Sequence, residues 1–286
     1  MGIKIRWLGC VCFEIVLPSG KVVLVDPYID YSATAPITCQ EVTGADYVAL
    51  THGHYDHVTD VGSLVKKFRS KVICSHQVAE PLARLFKLNN ADIVRVTAGD
   101  TVIANDLRVE VKKGEHIDLR PVRRALSRQR SREGNNHGEQ PPAGQETKGS
   151  QPAGVTAKVL EMRERIRASG LSAGEQLTFV FQTGDNLRIG IYSSGPYQHL
   201  NDEVRAIRPN ILCMQLGGNH PEQAAEIAAL SGAEIVIPTH HDSGGPEATH
   251  RLAQEMSRHL ASRSPARFLD IIPGKWYEIG VGVSPL

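Results

Sequence analysis

At 286 residues, with 41% hydrophobic and 22% charged side chains, the chain carries enough apolar material for a sizeable α/β core, which excludes disorder throughout. Its 32 basic and 31 acidic residues leave a net charge of +1, so no global field draws it to nucleic acid or an anionic membrane. The five cysteines are odd in number, scattered and without CxxC spacing, which excludes a zinc ribbon and fits reduced thiols in a cytoplasmic compartment.

In chain order, Ile3–Leu8, Cys12–Leu17 and Lys21–Asp26 read as strands, the last two joined by the turn Pro18-Ser19-Gly20. The first segment alternates charged and apolar residues and never reaches the run a signal peptide or membrane span needs, so neither export nor membrane insertion is expected. On the same pattern Cys10 and Cys12 share one side of an early strand and read as buried structural thiols. A short strand, Asp46–Leu50, runs into a histidine-rich loop and then a helical pattern over Val58–Phe68. Strand and helix signals then alternate through Lys71–Cys74, Gln77–Phe86 and Asp92–Val96. A hairpin of Thr101–Ala104 and Leu107–Lys113 turns at Asn105-Asp106. Residues 121–172 break the rhythm: an arginine run (Arg120, Arg123, Arg124, Arg128, Arg130, Arg132) leads into Gly, Asn, Gln and Pro, then a helix over Val155–Ala168. This segment is expected to be a mobile insertion within a single domain spanning 1–286. No aromatic residues interleave with the arginines, so a nucleic-acid groove is not expected there. Regular structure resumes with Leu177–Thr183, a turn at Gly184-Asp185-Asn186, and Leu187–Tyr192, then the late strands Asn210–Met214 and Glu234–Ile237.

The segment Thr51-His52-Gly53-His54-Tyr55-Asp56-His57 places three imidazoles and a carboxylate directly after a strand, around a glycine that lets the backbone turn. In an extended loop His52 and His54 point to one side and share a metal, while Asp56 and His57 reach a neighbouring position. Two adjacent metal sites are the natural reading.

That run resembles the HxHxDH signature of the metallo-β-lactamase superfamily. Trp7-Leu8-Gly9-Cys10, Cys12-Phe13-Glu14-Ile15, Val25-Asp26-Pro27-Tyr28, Leu216-Gly217-Gly218 and Ile237-Pro238-Thr239-His240 extend the similarity to the L-ascorbate-6-phosphate lactonase-like (UPF0173-like) branch. The resemblance implies a four-layer αβ/βα sandwich with metals at one edge. It implies that His116 joins His52 and His54 on the first metal, that His240 joins Asp56 and His57 on the second, and that Asp26 orients the loop from behind.

One departure stands out. Where the family places the carboxylate that bridges both metals, the stretch Tyr192-Ser193-Ser194-Gly195-Pro196 carries proline, and Asp185 offers the other Gly-Asp pair, in a hairpin turn. Two unit charges about 4 Å apart interact by about 4 kcal/mol at an effective dielectric of 20, so two dications repel by roughly four times that. Without the bridge the second site is expected to weaken, and a single ion at His52, His54 and His116 still lowers the pKa of a bound water.

The expected activity is hydrolysis of a small-molecule ester, lactone, amide or phosphodiester by a metal-bound hydroxide, with Asp56 also as proton acceptor. Zinc is the expected divalent metal, one or two per chain, with manganese or iron as alternatives; His220 and His241 are candidate substrate contacts. The competing readings are a degenerate binding or regulatory protein and an oxidative enzyme holding non-haem iron at Asp56, His57 and His240. A small-molecule substrate is the expected partner, nucleic acid and membrane are not, and homo-oligomerisation is left open.

Overall fold

The computed structural model describes residues 2–104, 107–116, 153–195 and 201–280. The turn expected at Asn105-Asp106, the arginine run, and Pro196 lie outside the described residues.

Among the described residues, fourteen strands form two seven-stranded sheets. The first contains β1 (Gly2–Trp7), β2 (Phe13–Val16), β3 (Val22–Val25), β4 (Tyr47–Ala49), β5 (Lys71–Ser75), β6 (Ile93–Val96) and β14 (Tyr277–Gly280), in the order β14-β1-β2-β3-β4-β5-β6. The second contains β7 (Thr101–Ala104), β8 (Leu107–Lys113), β9 (Leu177–Thr183), β10 (Arg188–Tyr192), β11 (Ile211–Gln215), β12 (Ile235–Thr239) and β13 (Arg267–Phe268), in the order β13-β12-β11-β10-β9-β8-β7. In each sheet antiparallel pairings on one side give way to parallel ones on the other, changing over at β3 and at β10. The two halves therefore repeat one design, a symmetry with no trace as a sequence repeat.

Side-chain alternation along the strands divides the apolar residues among three cores. Ile3, Ile5 and Trp7 of β1, Val23 and Val25 of β3, and Phe179 and Phe181 of β9 meet between the sheets. Leu24, Val48, Val72 and Cys74 face outward from the first sheet, toward α2 (Val61–Phe68), α3 (His76–Phe86) and α4 (Ala153–Ser169), which adds Met162 and Ile166. Val180, Leu212, Met214 and Val236 face outward from the second, toward α5 (Asn201–Ile207), α6 (Pro221–Ser231) and α7 (Pro246–Ala261). Helices, sheet, sheet and helices make the four layers of an α/β sandwich. Among the described residues no helix is long and apolar enough to cross a membrane.

The helix expected over Val58–Phe68 is α2, beginning at Val61, and a separate helical turn before it, α1 (Tyr55–Val58), carries Asp56 and His57. Cys10 and Cys12 do not share a strand face. Gly9 (φ 96°) and Cys10 (φ 49°) form a left-handed turn between β1 and β2, closed by Cys12 N donating to Gly9 O at 2.8 Å. This turn separates the two thiols: Cys10 packs between the sheets and Cys12 outside them.

Candidate metal centre

The chemistry-bearing residues gather at one edge of the sandwich because several strands end there. Asp26 follows β3, the His52 loop follows β4, His116 follows β8 and His240 follows β12. Two backbone hydrogen bonds sew the sheets together at this edge: Leu177 N donates to Thr51 O at 2.8 Å, and His240 N to Cys10 O at 2.8 Å.

His52, His54 and His116 form the first ligand group. His54 Nδ1 lies 3.1 Å from His52 Nε2 and 3.0 Å from His116 Nε2. Nitrogens bound about 2.0–2.1 Å from one tetrahedral ion stand about 3.3 Å apart, so the three rings are arranged as ligands are. Thr51 Oγ1 donates to Asp26 at 2.6 Å and so is left to accept from His52 Nδ1 at 3.1 Å, which leaves His52 Nε2 unprotonated toward the group. Burial, then the neighbouring imidazoles, push the His52 pKa well below its ordinary value, and burial followed by His116 lowers that of His54. Uncharged imidazoles are what a metal requires. His52 is buried and His116 exposed, so this group opens toward solvent.

The second group contains Asp56, His57 and His240, and the structure adds Cys10: one donor atom from each lies within 4.8 Å of all the others. His57 Nδ1 faces Asp26 Oδ2 at 2.9 Å, which turns Nε2 toward Asp56 Oδ2 at 3.9 Å. His240 Nε2 lies 3.7 Å from the same oxygen. Burial pushes the Asp56 carboxyl up, but contact with His240 and the positive charges of His57 and His240 outweigh it, holding the group below the usual carboxylate range. Burial lowers the His240 pKa, and the charges of Cys10 and Asp56 overcome that and raise it. The two groups adjoin, with the His52 and His57 rings 3.9 Å apart between centroids. Four donors of nitrogen, oxygen and sulfur type beside three imidazoles fit a pair of divalent ions.

Backbone strain collects here. Cys10 (φ 49°), Asp26 (φ 42°) and His240 (φ 57°) all occupy the left-handed region, each costing roughly 1–3 kcal/mol unless the surroundings enforce it. The surroundings do enforce it. Asp26 is wholly buried and accepts from Thr51 N at 2.8 Å as well as from Thr51 Oγ1. Cys10 O accepts from Trp7 Nε1 at 2.9 Å, and Cys10 N donates to Asp242 Oδ2 at 3.1 Å. His240 passes so close to Gly217 that a Cβ there would stand 1.5 Å from His240 O. Gly53 is required in the same way, since its Cβ would stand 2.1 Å from Ser172 O.

The other sequence candidates fall elsewhere. His241 is buried, stacked on Trp7 at 5.1 Å between ring centroids, and burial lowers its pKa. His220 is exposed and precedes α6, accepting from Ala224 N through its carbonyl. Asp185 is an exposed turn residue after β9, bonded to Thr183 Oγ1. The metal edge lies at the opposite end of that strand, next to Leu177, and seven residues of strand span roughly 23 Å, so Asp185 does not bridge the two groups. Ser194 and Gly195 do reach the edge, where both hydrogen-bond the backbone of Glu115. Cys10 was missed as a potential ligand because its partners stand far away in sequence, at 56, 57 and 240. A cavity of about 510 Å³ beside Asp60, Lys66 and Phe86 contains none of these donors, so donor chemistry rather than concavity locates the centre.

Residues 21–144 match the beta-lactamase superfamily domain. A UPF0173 metal-dependent hydrolase of Koribacter versatilis is 33% identical over 40% of this chain and 48% of its own length, so the chain spans about half of that relative. A longer match, to a UPF0173 metal-dependent hydrolase of Caldivirga maquilingensis, is 21% identical over 90% of this chain and 92% of the relative. Among solved structures, Igni18, a metallo hydrolase from Ignicoccus hospitalis, superposes with a TM-score of 0.67 at 14% identity, covering 99% of this chain and 100% of its own. Over residues 21–144 the chain is thus similar to the beta-lactamase superfamily domain, over parts or most of its length it is similar to UPF0173 metal-dependent hydrolases, and it shares the two-sheet fold of Igni18.

Proposed function

We propose that the protein is a metal-dependent hydrolase of a small molecule carrying an ester, lactone, amide or phosphodiester group. The observation that carries this reading is the convergence of His52, His54 and His116, nitrogen to nitrogen at 3.0 and 3.1 Å, beside a second donor group. The names of the UPF0173 relatives support it. His52 Nε2, His54 Nδ1 and His116 Nε2 would hold one divalent ion; Asp56, His57 and His240 would hold the other. Bound there, zinc supplies a Lewis acid that polarises the scissile centre and acidifies water near neutral pH.

The remaining contributions belong to the chain. Asp26 keeps Thr51 and His57 in register, so that His52 and His57 each turn Nε2 toward their donor group. Asp56 stays ionised, so it can hold a cation with one oxygen and orient a water with its remaining lone pairs. Exposure at His116 gives substrate its approach, while burial of His52 and His57 keeps the far side dry.

The test is elemental analysis of the full chain, purified without added metal and again after zinc, manganese or iron loading, with His54→Ala alongside. Turnover of a panel of activated esters, lactones and phosphodiesters is followed in parallel. We expect about two ions in the wild type, fewer in the variant, and a fall in turnover of about a thousandfold or more with the loss. A chain that takes up no ion under any loading overturns the hydrolase reading in favour of a binding protein on the same fold.

A further inference from the structure

The second donor group holds a single carboxylate, Asp56, and the chain carries proline at position 196. A dication bound by one carboxylate and two neutral imidazoles keeps a net positive charge beside another dication, which is unfavourable at this separation. Cys10 changes that balance. Its sulfur is one of the four donors lying within 4.8 Å of one another, and it stands 3.8 Å from the backbone oxygen of Asp56. Cys12 and Cys74 pack in the outer core of the first sheet instead, and Cys213 lies among apolar residues between the sheets.

The backbone holds Cys10 in place. At φ 49° a glycine would be unstrained, yet a residue with a side chain is found there. Both of its main-chain polar groups are engaged, and one of those bonds runs directly to His240 N, a neighbour in the same donor group. The turn therefore fixes the thiol relative to His240 without needing an ion to do so. The side chain is buried, with 6% of the residue exposed, so the sulfur is directed into the group rather than to solvent.

We propose that Cys10 is a metal ligand: its thiolate completes, with Asp56, His57 and His240, a four-donor site for a borderline-soft divalent cation of the zinc class. This rests on reading Asp56, His57 and His240 as a metal site. As the metal–sulfur bond forms, the thiol proton leaves to solvent, and no electron is transferred. Thiolate and carboxylate together neutralise the dication, doing for this site what a bridging carboxylate does for a pair. One sulfur among the donors also favours zinc or cobalt over manganese or magnesium, so the two groups differ in metal preference.

The experiment is titration of the metal-free full chain with cobalt(II), followed by absorption. We expect a thiolate-to-cobalt charge-transfer band in the near ultraviolet that saturates at about one ion per chain, is retained in Cys12→Ala and His54→Ala, and is abolished in Cys10→Ser. In Cys10→Ser one of two cobalt ions should bind at least about tenfold more weakly. Cys10→Asp, which restores the charge without sulfur, should regain the stoichiometry without the band, so a fault in folding of the serine variant is told apart from loss of a ligand. Two bound cobalt ions with no thiolate band, or a band that survives in Cys10→Ser, overturn the assignment of Cys10 and leave the hydrolase reading standing. A wild-type chain that binds no cobalt overturns both.

Discussion

The two donor groups lie side by side but are assembled in opposite ways. His52 and His54 come from one loop, need only His116 from outside it, and repel protons because they are crowded and buried. The second group draws on the turn after β1, the helical turn α1 and the end of β12, and it concentrates negative charge around His240. One group is encoded mainly by spacing, the other by the docking of two sheets. Damage should therefore spread differently through the two.

Asp26 is where they meet, so Asp26→Asn should have the largest effect. The wholly buried carboxylate accepts from Thr51 twice and faces His57, and an amide offers only one acceptor oxygen. The expected cost is about 3 kcal/mol of stability, with roughly 10–100-fold weaker metal binding at both groups, read from a urea midpoint and a metal titration. Wild-type affinity at either group would show that the two are uncoupled.

Gly217→Ala should break the second group alone. The new methyl collides with the His240 carbonyl, displacing that imidazole while leaving His52, His54 and His116 in place. Turnover should fall about a hundredfold while roughly one ion stays bound. Loss of both ions would mean that the sheets share more strain than their contacts suggest.

Acid should separate the groups without mutation. A metal must displace the proton that Cys10 and Asp56 help His240 retain, whereas His52 and His54 are already neutral. Between about pH 7 and pH 5 the second ion should leave first, measurable by equilibrium dialysis. In the metal-free chain the signs oppose each other. The lowered pKa values of His52 and His54 remove stability as pH falls through about 6.5, since the unfolded chain then binds more protons. The raised value of His240 adds stability at low pH and loses it as pH rises through that value. The smallest effect belongs to Asp185→Asn, at the wrong end of β9: stability within about 0.5 kcal/mol of wild type and an unchanged ion count.

Much of the fold is legible along the chain because inner strands alternate between two apolar environments, as Val23, Leu24 and Val25 of β3 do. The same period misleads at Cys10 and Cys12, where two positive φ angles in succession, at Gly9 and Cys10, break the alternation and send the thiols to different cores. β14 is four residues long and buries only Ile279, so its pairing with β1 rather than its own pattern makes it a strand. Asp26 illustrates the intermediate case: resemblance marks it as an orienting group, and its three contacts follow from the approach of β3 to the loop after β4.

What the sequence determined by itself is local: the periodicity that builds the layers, and the loop whose i and i+2 histidines point the same way. What tertiary structure decided is which remote side chains share a volume. Cys10, Asp56 and His240 carry no mutual spacing signal, because they are joined by the backbone bond between the Cys10 turn and the end of β12, a contact that exists only once the two sheets have closed on their common core.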